Sequence, residues 1–371
     1  MLHRQRFFDG PLGPGYDVVV CGECGAGFAD GIPTQDELDR YYAERSKYTY
    51  AHAGGAESPY DFKRFELIAD QLEQCLPSKQ ARILDVGCAT GGLLAVLKRR
   101  GYGNVFGSDP APACAEAARR LHGIEVRTAT LAEHADWSER FDAILLVGVL
   151  EHLREACAAV RTVAGLLKPG GMVYCAQPDV EAFADCENAP YQQFSVEHVN
   201  FFSRHSLNRL MGSAGLKPNR VWRWMVEWRE GITDSVVSGV YAQGPAETAR
   251  DQISAPALRT YLERCAAHEA DTLRQIEDLV RSQEPMLIWG AGTLTRRLLA
   301  TTSLAQANVV AFVDSSPSLV NRSLAGKPIL APGALGARPE LILICSRVFR
   351  EEIRRMIQQD LQLPNRIMTL A

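Results

Sequence analysis

The sequence predicts an α/β protein with two doubly wound domains, the second smaller than the first. Apolar stretches of strand length alternate with segments of helical periodicity between residues 81 and 178, which is typical of a parallel sheet covered by helices. The first apolar stretch ends in a glycine-rich turn, "LDVGCATGG". A second turn of this kind, "IWGAGTL", follows another apolar stretch near residue 290, so the pattern begins again in the last quarter of the chain.

The elements of the first domain follow one another in a regular order. An amphipathic helix precedes the sheet, in a segment that Pro77 ends. Strands and helices then alternate through "ARILDVG", "GGLLAVLKRRG", "NVFGSDP", "APACAEAARRLHG", "EVRTAT", "RFDAILLVGVL", "CAAVRTVAGLLKPGG" and "MVYCAQP". After Trp222 the pattern loosens, and the charged segment from residue 253 to residue 283 predicts one or two helices that lead away from the domain.

The second domain repeats the pattern on a smaller scale. Its strands and helices are predicted in "MLIWGAGTLTRRLLA", "NVVAFVDSSP" and "ELILICS", and its last helix in "REEIRRMIQQDL". The predicted organisation is an N-terminal extension over residues 1–58, a first α/β domain over 59–245, a helical linker over 246–284 and a second α/β domain over 285–371.

Length and composition limit the class of protein. A chain of 371 residues that is 46% hydrophobic can bury a core in each of two domains. The 40 basic and 44 acidic residues give a net charge of −4 without a long basic run, so we expect neither a nucleic acid nor a membrane surface as a partner. The ten cysteines are scattered, and no apolar stretch has the length of a signal peptide or a membrane span. We therefore expect a soluble, cytoplasmic protein that acts on a small molecule, with its oligomeric state left open.

Asp85 distinguishes between two nucleotide cofactors that a glycine-rich turn can bind. In a dinucleotide fold the pyrophosphate lies against the helix N-terminus, where a carboxylate two residues before the first glycine would repel it. The same carboxylate suits a ligand with an ammonium group next to the turn, as in the methionine part of S-adenosylmethionine. Gly87 and Gly91 let the backbone approach such a ligand. Asp109, 22 positions after Gly87, is placed to bind the ribose hydroxyls, although it could instead cap the following helix.

Over residues 60 to 225 the sequence resembles the class I S-adenosylmethionine-dependent methyltransferases, whose domain is Rossmann-like. The resemblance rests on "LDVGCATGGLL", on "FDAILLVGVLEHL" and on "LLKPGG" before the fifth strand. The family usually has glycine where this chain has Ala89. The resemblance implies S-adenosylmethionine as the cofactor. It places the amino-acid end of the cofactor at Asp85, Gly87, Ala89 and Gly91, the ribose at Asp109, and the adenine at Thr130 and Leu131. The further cofactor-binding residues are Cys88, Pro110, Val147 and Gly148.

Two histidines follow neighbouring strands of the predicted sheet. His152 follows the fourth strand, and Glu197 and His198 follow the fifth in "FSVEHVNFFS", so both loops should reach the carboxyl edge of the sheet. Methyl transfer needs a positioned nucleophile, and a base if that nucleophile carries a proton. We predict that His198 is the base, that Glu197 orients it or tunes its charge, and that His152 is the second candidate. His198 could instead be a structural histidine packed among the neighbouring aromatic residues.

The loop around His198 resembles that of bacterial sugar and small-molecule methyltransferases. Sugar C-methyltransferases of this group usually carry a further histidine just before the glutamate, where this chain has Val196. The difference argues against methylation of carbon and leaves methylation of oxygen or nitrogen open.

The N-terminal extension resembles half of a metal-binding module. The segment "VVVCGECGAGF" is similar to the second half of a zinc ribbon that often precedes these methyltransferase domains. A closed zinc site needs four ligands, and only Cys21 and Cys24 are present. Either the module has lost its metal or the chain begins late, so we predict no bound metal. The aromatic residues that follow could form a lid over the site or pack as an ordinary extension; they are Tyr41, Tyr42, Tyr48, Tyr50 and Tyr60.

The turn of the second domain matches a dinucleotide fingerprint only in part. Gly290 and Gly292 are present and Asp314 follows Gly292 by 22 residues, but Thr295 stands where the third glycine is expected. The segment resembles the C-terminal Rossmann-like domain attached to sugar C-methyltransferases. We expect a degenerate domain that packs against the first, with an anchor for a sugar nucleotide as the alternative.

Three functions from different classes remain. The first is a methyltransferase that acts on a saccharide, a nucleotide sugar or a related biosynthetic intermediate. The second is an NAD-linked sugar-nucleotide oxidoreductase that uses the C-terminal domain, although no Tyr-x-x-x-Lys pattern accompanies that domain. The third is a cofactor-binding module without catalysis. The motifs favour the first.

Overall fold

The computed structural model describes residues 1–45, 56–245, 249–336 and 338–370 and arranges their strands in three sheets. The helices are α1 (Gln35–Arg45), α2 (Pro59–Glu73), α3 (Gly92–Arg99), α4 (Pro112–His122), α5 (Ala156–Gly165), α6 (Arg204–Gly212), α7 (Ser254–Ser282), α8 (Thr293–Thr301) and α9 (Arg350–Arg355). The strands of the first two sheets are β1 (His3–Arg6), β2 (Gly15–Val20), β3 (Gly27–Asp30), β4 (Ile83–Val86), β5 (Val105–Asp109), β6 (Val126–Thr128), β7 (Phe141–Val147), β8 (Leu167–Pro178), β9 (Asn200–Phe201), β10 (Leu216–Arg229) and β11 (Ile232–Gln243). The third sheet contains β12 (Met286–Trp289), β13 (Val309–Val313), β14 (Ser323–Leu324), β15 (Lys327–Leu330), β16 (Leu341–Ile344) and β17 (Ile367–Thr369).

The central sheet is the doubly wound sheet that the sequence predicts. Its strand order is β10-β11-β8-β7-β4-β5-β6, and the strands from β6 to β8 are parallel. Apolar residues of α2 and α3 cover one face, and those of α5 and α6 cover the other. The strand order reverses between β4 and β7, and a sheet of this type binds its ligand in the crevice outside the carboxyl ends of such strands.

Beyond β8 the central sheet continues into an antiparallel hairpin that the sequence analysis missed. β10 pairs with β11, and β11 pairs antiparallel with β8. Trp222 and Trp224 pack on the apolar cluster that contains α2, whereas Arg223 between them forms an ion pair with Asp179. This alternation is typical of a strand with two different faces. One face of β10 is polar, so the sequence has no continuous apolar run here. The alternation of strands and helices therefore cannot be recognised after Trp222.

The N-terminal extension folds as part of a four-stranded antiparallel sheet with the order β1-β2-β3-β9. Its last strand, β9, comes from the segment after β8, so backbone hydrogen bonds join the extension to the domain that contains the central sheet. Val18, Phe194, Phe201 and Leu258 are buried together in the core of this sheet. The sheet thus has an apolar core of its own, and it holds the segment after β8 in place.

The predicted linker is one long helix with a buried face. α7 contributes Leu258 and Tyr261 to the core of the N-terminal sheet, and Ile276 and Leu279 to the core of the C-terminal domain. The helix therefore packs against both units along its length. Neither α7 nor any other described helix is long and apolar enough to cross a membrane.

The C-terminal domain is a second, smaller α/β unit, as predicted. Its strand order is β14-β15-β13-β12-β16-β17, with β12 parallel to both β13 and β16. Residues on the two faces of β12 alternate between two apolar clusters, one that contains α8 and one that contains α9. The short strands β14, β15 and β17 were not predicted, because none of them contains an apolar run as long as those of β12 and β16.

Candidate active site

The turn after β4 takes backbone conformations that favour glycine. Gly87 and Gly91 have φ values of +72° and +83°, and Ala89 has a φ of +47°. These values lie in the left-handed region, where a side chain is disfavoured, so Ala89 is a strained position. A Cβ added at Gly87 would lie 2.7 Å from Cγ2 of Val149, in the loop after β7. The absence of a side chain at Gly87 therefore lets the two loops of the crevice touch.

Asp85, on β4, is buried beside a second buried carboxyl group, that of Asp109. Burial and, after it, the negative charge of Asp109 raise the pKa of Asp85 to about 8. A buried carboxylate is stabilised by an adjacent cation and opposed by an adjacent anion. The ammonium group of S-adenosylmethionine would supply that cation, whereas a pyrophosphate would add negative charge. Asp85 in this setting fits the cofactor that the sequence predicts.

Glu57 places a further acidic group at the glycine-rich turn. One of its carboxylate oxygens accepts a hydrogen bond from the Thr90 hydroxyl at 3.1 Å and lies 2.9 Å from Nε2 of His122. A Cβ added at Gly92, the first residue of α3, would lie 2.5 Å from the same oxygen. The position where a dinucleotide would put its pyrophosphate is thus next to a carboxylate. Sequence reasoning missed Glu57 because it lies in no recognisable motif.

Asp109, at the end of β5, is held by two backbone groups. Its Oδ2 accepts a hydrogen bond from the backbone N–H of Ala89 at 3.0 Å, and its Oδ1 accepts one from Ala111 at 2.9 Å. The second bond reaches the backbone N–H of Ala111, the residue just before α4, so Asp109 orders the approach to this helix and does not cap its first turn. The first bond joins Asp109 to the glycine-rich turn after β4. Each oxygen has a second lone pair, so both roles are compatible with binding of ribose hydroxyls.

Replacing Asp109 by alanine should weaken binding of S-adenosylmethionine by about 1 to 3 kcal/mol, because hydrogen bonds to a charged group would be lost. Isothermal titration calorimetry measures this change directly. Asp142→Ala is the matched control, since Asp142 also accepts a backbone hydrogen bond, from Arg82, but lies at the opposite end of the sheet. Equal affinities for wild type and Asp109→Ala would mean that the ribose binds elsewhere.

The residues predicted to bind adenine form a small capped turn. Thr130 uses its backbone N–H and its hydroxyl to bind the carboxylate of Glu133. Leu131 packs at the margin of the main apolar core. The structure shows the two residues after β6, at the same edge of the sheet as Asp109. Their contact with adenine stays a prediction.

His134 is a buried histidine beneath this turn that sequence reasoning missed. Its Nδ1 lies 2.6 Å from the carbonyl oxygen of Thr130, and its Nε2 lies 2.7 Å from the Ser108 hydroxyl. A carbonyl oxygen only accepts, so Nδ1 carries the proton and Nε2 accepts from Ser108. Burial lowers the pKa of His134, in keeping with the neutral ring, which stacks on Trp137. We assign His134 to support of the turn.

The remaining predicted cofactor residues differ in what they can offer. Cys88 is buried in an apolar cluster with Leu94, and burial holds the pKa of its thiol well above the usual range. Its side chain is therefore core, and only its backbone can face a ligand. Val147 ends β7, Gly148 follows with a φ of +67°, and Pro110 follows β5. These three lie at the carboxyl edge of the sheet, where the sequence places them.

The two loops that carry the candidate catalytic residues are fastened to each other. The backbone N–H of Val199 donates to the carbonyl oxygen of Glu151 at 2.7 Å, and the Asn200 side chain donates to two carbonyl groups of the same loop. The rings of His152 and His198 consequently lie edge to face, with centroids 5.1 Å apart. The loop after β7 that carries His152 also contains Val149, which touches the glycine-rich turn. The loop that carries His152 thus borders the predicted cofactor site.

Two tyrosines of α1 reach this pair of loops. The Tyr42 hydroxyl lies 2.9 Å from Nδ1 of His152, and the Tyr41 hydroxyl donates to Oε1 of Glu197 at 2.9 Å. One partner of the Glu197 side chain is therefore a residue of the N-terminal extension. Tyr60 lies on α2, while Tyr48 and Tyr50 lie outside the described residues. The N-terminal extension accordingly forms part of the wall of the candidate site.

The same loops bring together three side chains that could hold a metal ion. Glu151, His152 and His198 each offer a ligand atom, and these atoms lie within 4.8 Å of one another. The sequence analysis named the two histidines but not Glu151, which is buried next to them. Carboxylate and imidazole ligands suit several divalent cations. The prediction that the protein holds no metal must therefore be tested at this cluster as well as at the cysteine pair.

Cys21 and Cys24 form a tight turn at the tip of the N-terminal sheet. The backbone N–H of Cys24 donates to Sγ of Cys21 at 3.5 Å. Backbone hydrogen bonds from Cys24 and Glu23 lower the pKa of the Cys21 thiol. Among the described residues, no group of three or more possible ligands includes these cysteines.

The cysteine pair should therefore bind clearly less than one zinc ion per chain, because two cysteines fill only half of a tetrahedral site. Elemental analysis by mass spectrometry gives the ratio. Wild type and a Cys21→Ser/Cys24→Ser variant should give the same value, since any metal at the Glu151 cluster is present in both. One zinc per wild-type chain that is lost in the variant would show that further ligands complete the site.

Comparison with known proteins agrees with this geometry. Residues 60–220 match a family described as a methyltransferase domain, which is less than half of the chain. Together with the doubly wound sheet and the acidic pair at its crevice, the match defines this part of the chain as a class I S-adenosylmethionine-dependent methyltransferase domain.

Individual relatives match part of the chain. The chain is 43% identical over 112 residues to a ubiquinone biosynthesis O-methyltransferase of Alkalilimnicola ehrlichii, which covers 28% of this chain and 44% of the relative. It is 33% identical over 153 residues to the enzyme of the same name from Xanthomonas oryzae pv. oryzae, which covers 39% of this chain and 62% of the relative. The chain thus spans about half the length of the curated relatives it matches. These names do not single out the sugar methyltransferases that the loop around His198 resembles.

The fold is also similar to solved structures. Magnesium protoporphyrin IX methyltransferase from Synechocystis PCC 6803 with bound SAH is 16% identical, with a TM-score of 0.41 over 56% of this chain and 98% of its own. A likeness at this level is not evidence for a particular acceptor.

Proposed function

We propose that the protein transfers a methyl group from S-adenosylmethionine to an oxygen atom of a small acceptor, either a saccharide, a nucleotide sugar or a related biosynthetic intermediate. The observation that carries the proposal is the contact between His152 and His198 beside the glycine-rich turn. A base at this position suits a nucleophile that carries a proton, as a hydroxyl group does.

The protonation of His152 follows from its neighbours. Its Nδ1 lies 3.1 Å from the carbonyl oxygen of Glu197, which can only accept, and 2.9 Å from the Tyr42 hydroxyl, which can also accept, so a proton on Nδ1 satisfies both contacts. The basic nitrogen is then Nε2, which lies 3.8 Å from Oε1 of Glu151. This arrangement keeps a carboxylate next to both histidine rings. Glu151 can therefore stabilise the positive charge that forms when either ring takes up a proton.

The proposed roles of the residues follow from these contacts. When bound, S-adenosylmethionine supplies an electrophilic methyl group. His198 accepts the proton of the acceptor hydroxyl, and Glu151 stabilises the resulting imidazolium. Glu197 positions His198 through the tight loop in which both backbone N–H groups bind the Ser195 hydroxyl. His152 supports this loop and is the second candidate for the base.

Oxygen is favoured over carbon as the site of methylation for two reasons. The sugar C-methyltransferases with a similar loop have a histidine at the position of Val196, and this chain lacks that histidine. The relatives that match the domain are named as O-methyltransferases. Transfer to nitrogen stays as the alternative, since an amine can also lose a proton to His198.

The N-terminal extension is proposed to cover the site as a lid. Tyr41 and Tyr42 bind Glu197 and His152 by hydrogen bonds that bulk water would otherwise provide. The start of α1 is also fixed to the loop after β7, because Arg154 donates to two carbonyl groups just before the helix. A cover that excludes water strengthens the electrostatic effect of Glu151 on the histidines.

The experiment that tests the proposal is methyl transfer from isotopically labelled S-adenosylmethionine. The full chain is incubated with pools of saccharides, nucleotide sugars and small hydroxylated metabolites, and products are identified by mass spectrometry. We expect a gain of one labelled methyl group on oxygen, with release of S-adenosylhomocysteine in equal amount. A parallel reaction with a chelator shows whether the Glu151 cluster needs a metal. Oxidation of a sugar nucleotide with NAD, and no label transfer, would instead support the oxidoreductase alternative.

A further inference from the structure

The cluster of Glu151, His152 and His198 combines two nitrogen donors with one oxygen donor. The three ligand atoms lie within 4.8 Å of one another, and among the described residues this is the one group of three or more possible metal ligands. The side chains of Glu151 and His152 are only 4% and 14% exposed. A carboxylate this deeply buried needs a proton or a cation next to it. The cluster therefore differs from an exposed patch of acidic residues.

Hydrogen bonds determine which nitrogen of His152 can bind a metal ion. A proton on Nδ1 satisfies its contacts with the carbonyl oxygen of Glu197 at 3.1 Å and with the Tyr42 hydroxyl at 2.9 Å. Nε2 then keeps its lone pair on the side of Glu151. Histidines that bind metal ions commonly donate their other N–H to a carbonyl group, which fixes the tautomer and the ring. His152 already has this supporting partner.

The distance between Nε2 of His152 and Oε1 of Glu151 suits a cation shared by both atoms. They lie 3.8 Å apart, which is too far for a hydrogen bond. Two ligand atoms that each bind one metal ion at about 2.1 Å can lie up to about 4.2 Å apart. A pair at the outer limit of the cluster, 4.8 Å, would have to approach by about 0.6 Å on binding. Small rotations of the side chains are enough for this.

The third ligand is held close by the fold. The backbone N–H of Val199 donates to the carbonyl oxygen of Glu151 at 2.7 Å, so the residue after His198 is fixed to the residue that carries the carboxylate. The backbone N–H of His198 donates to the Ser195 hydroxyl at 3.1 Å. The rings of His198 and His152 lie 5.1 Å apart. The ligands are thus ordered before an ion arrives, and such order favours binding.

The donor atoms select the class of ion. Two imidazole nitrogens and one carboxylate suit Zn²⁺, Co²⁺ and Ni²⁺, whereas Mg²⁺ and Ca²⁺ prefer oxygen ligands alone. Three protein ligands leave at least one coordination position for water. The cluster contains no thiol, so it is chemically distinct from the pair Cys21 and Cys24.

We propose that Glu151, His152 and His198 form a binding site for one divalent transition-metal ion, and that an ion bound there blocks methyl transfer. The block rests on the proposed function, in which His198 accepts the proton of the acceptor hydroxyl. A neutral imidazole ring has one basic nitrogen, and a metal ion on that nitrogen leaves none to accept a proton. Binding of the ion itself does not depend on the reaction.

Binding is tested by titration of Co²⁺ into the full chain with Cys21→Ser/Cys24→Ser, so that the cysteine pair cannot contribute. The visible absorbance of bound Co²⁺ and calorimetry give the stoichiometry without any acceptor, and we expect one ion per chain in the presence of excess Mg²⁺. Glu151→Gln should weaken binding at least tenfold. Glu155→Gln, which changes an exposed carboxylate of the same loop, is the matched control and should change the affinity less than twofold. His198→Ala should also weaken binding at least tenfold, and it replaces Glu151→Gln if that variant does not fold.

The effect on catalysis is measured separately, with Zn²⁺ in the labelled methyl-transfer reaction. Zn²⁺ at ten times its dissociation constant should lower the rate about tenfold, because about one chain in eleven then has a free site. A chelator should restore the rate.

The outcomes distinguish the site from its effect. Absence of Co²⁺ binding, or equal binding to the parent protein and to the Glu151→Gln and His198→Ala variants, would overturn the site. Methyl transfer that is unchanged or faster with bound Zn²⁺ would overturn the block. If no acceptor is methylated in the absence of metal, the proposed function and the block fail together, whereas Co²⁺ binding that is lost in the variants would still support the site.

Discussion

Replacement of His198 by alanine should lower the turnover number by about two to four orders of magnitude, the range expected for loss of a positioned general base. Affinity for S-adenosylmethionine should stay within a few-fold of wild type, because His198 lies in the loop between β8 and β9 and is not part of the glycine-rich turn. The structural reason is its contact with His152 and its proximity to Glu151, which together provide a site for a transferred proton. Initial rates and calorimetry measure the two quantities separately.

His268→Ala is the matched control, since His268 is exposed on α7 and far along the chain from both catalytic loops. It should turn over at the wild-type rate. A folded His198→Ala enzyme with wild-type turnover would assign His198 to packing and transfer the proposed role to His152. Equal losses of turnover and of cofactor affinity would show that His198 acts on binding.

Asp85→Asn should weaken binding of S-adenosylmethionine by about 30-fold or more, because removal of one partner of a buried charge pair costs about 2 kcal/mol at the least. The wild-type affinity should also depend on pH. The pKa of Asp85 is about 8 without a cation, so at lower pH a proton must leave before the ammonium group binds. Affinity should therefore fall about tenfold for each pH unit below 8 and level off above it. Asp85→Asn should remove this dependence.

The stability of the free protein should change in the opposite sense. The pKa of Asp85 is raised from 3.8 to about 8 on folding, so the protonated carboxyl favours the folded state. This contribution is present at low pH and is lost as pH rises through about 8. Asp85→Asn cannot ionise, and without cofactor it should melt at a higher temperature than wild type at pH 8. A variant that binds within threefold of wild type and melts at the same temperature would contradict both expectations.

Strong periodicity explains why the parallel core could be predicted from the sequence. The strands β4 and β7 and the second half of β8 are nearly continuous apolar runs, and such runs identify strands that are buried on both faces. The long hairpin formed by β10 and β11 was missed because its polar face interrupts the pattern. The role of β9 could not be predicted either, since a strand of two residues is defined only by its partner, β3.

The candidate site was predictable in part for a similar reason. Asp85 and Asp109 lie near the carboxyl ends of β4 and β5, the two histidines follow β7 and β8, and the ends of parallel strands meet at one edge of a sheet. Glu57 and the Tyr41 and Tyr42 contacts come from the segment before the sheet, where no spacing rule relates a residue to the site. His134 was missed because its contacts, with Ser108 and Thr130, are tertiary.

The most direct test of the account is the choice of cofactor by the first domain. The measurement is calorimetric titration of the full chain with S-adenosylhomocysteine and with NAD under the same conditions, repeated with Asp109→Ala. The account predicts that S-adenosylhomocysteine binds one site per chain, that Asp109→Ala weakens it, and that any binding of NAD is unaffected by this variant. Binding of NAD that is tighter than that of S-adenosylhomocysteine and is lost in Asp109→Ala would contradict the account.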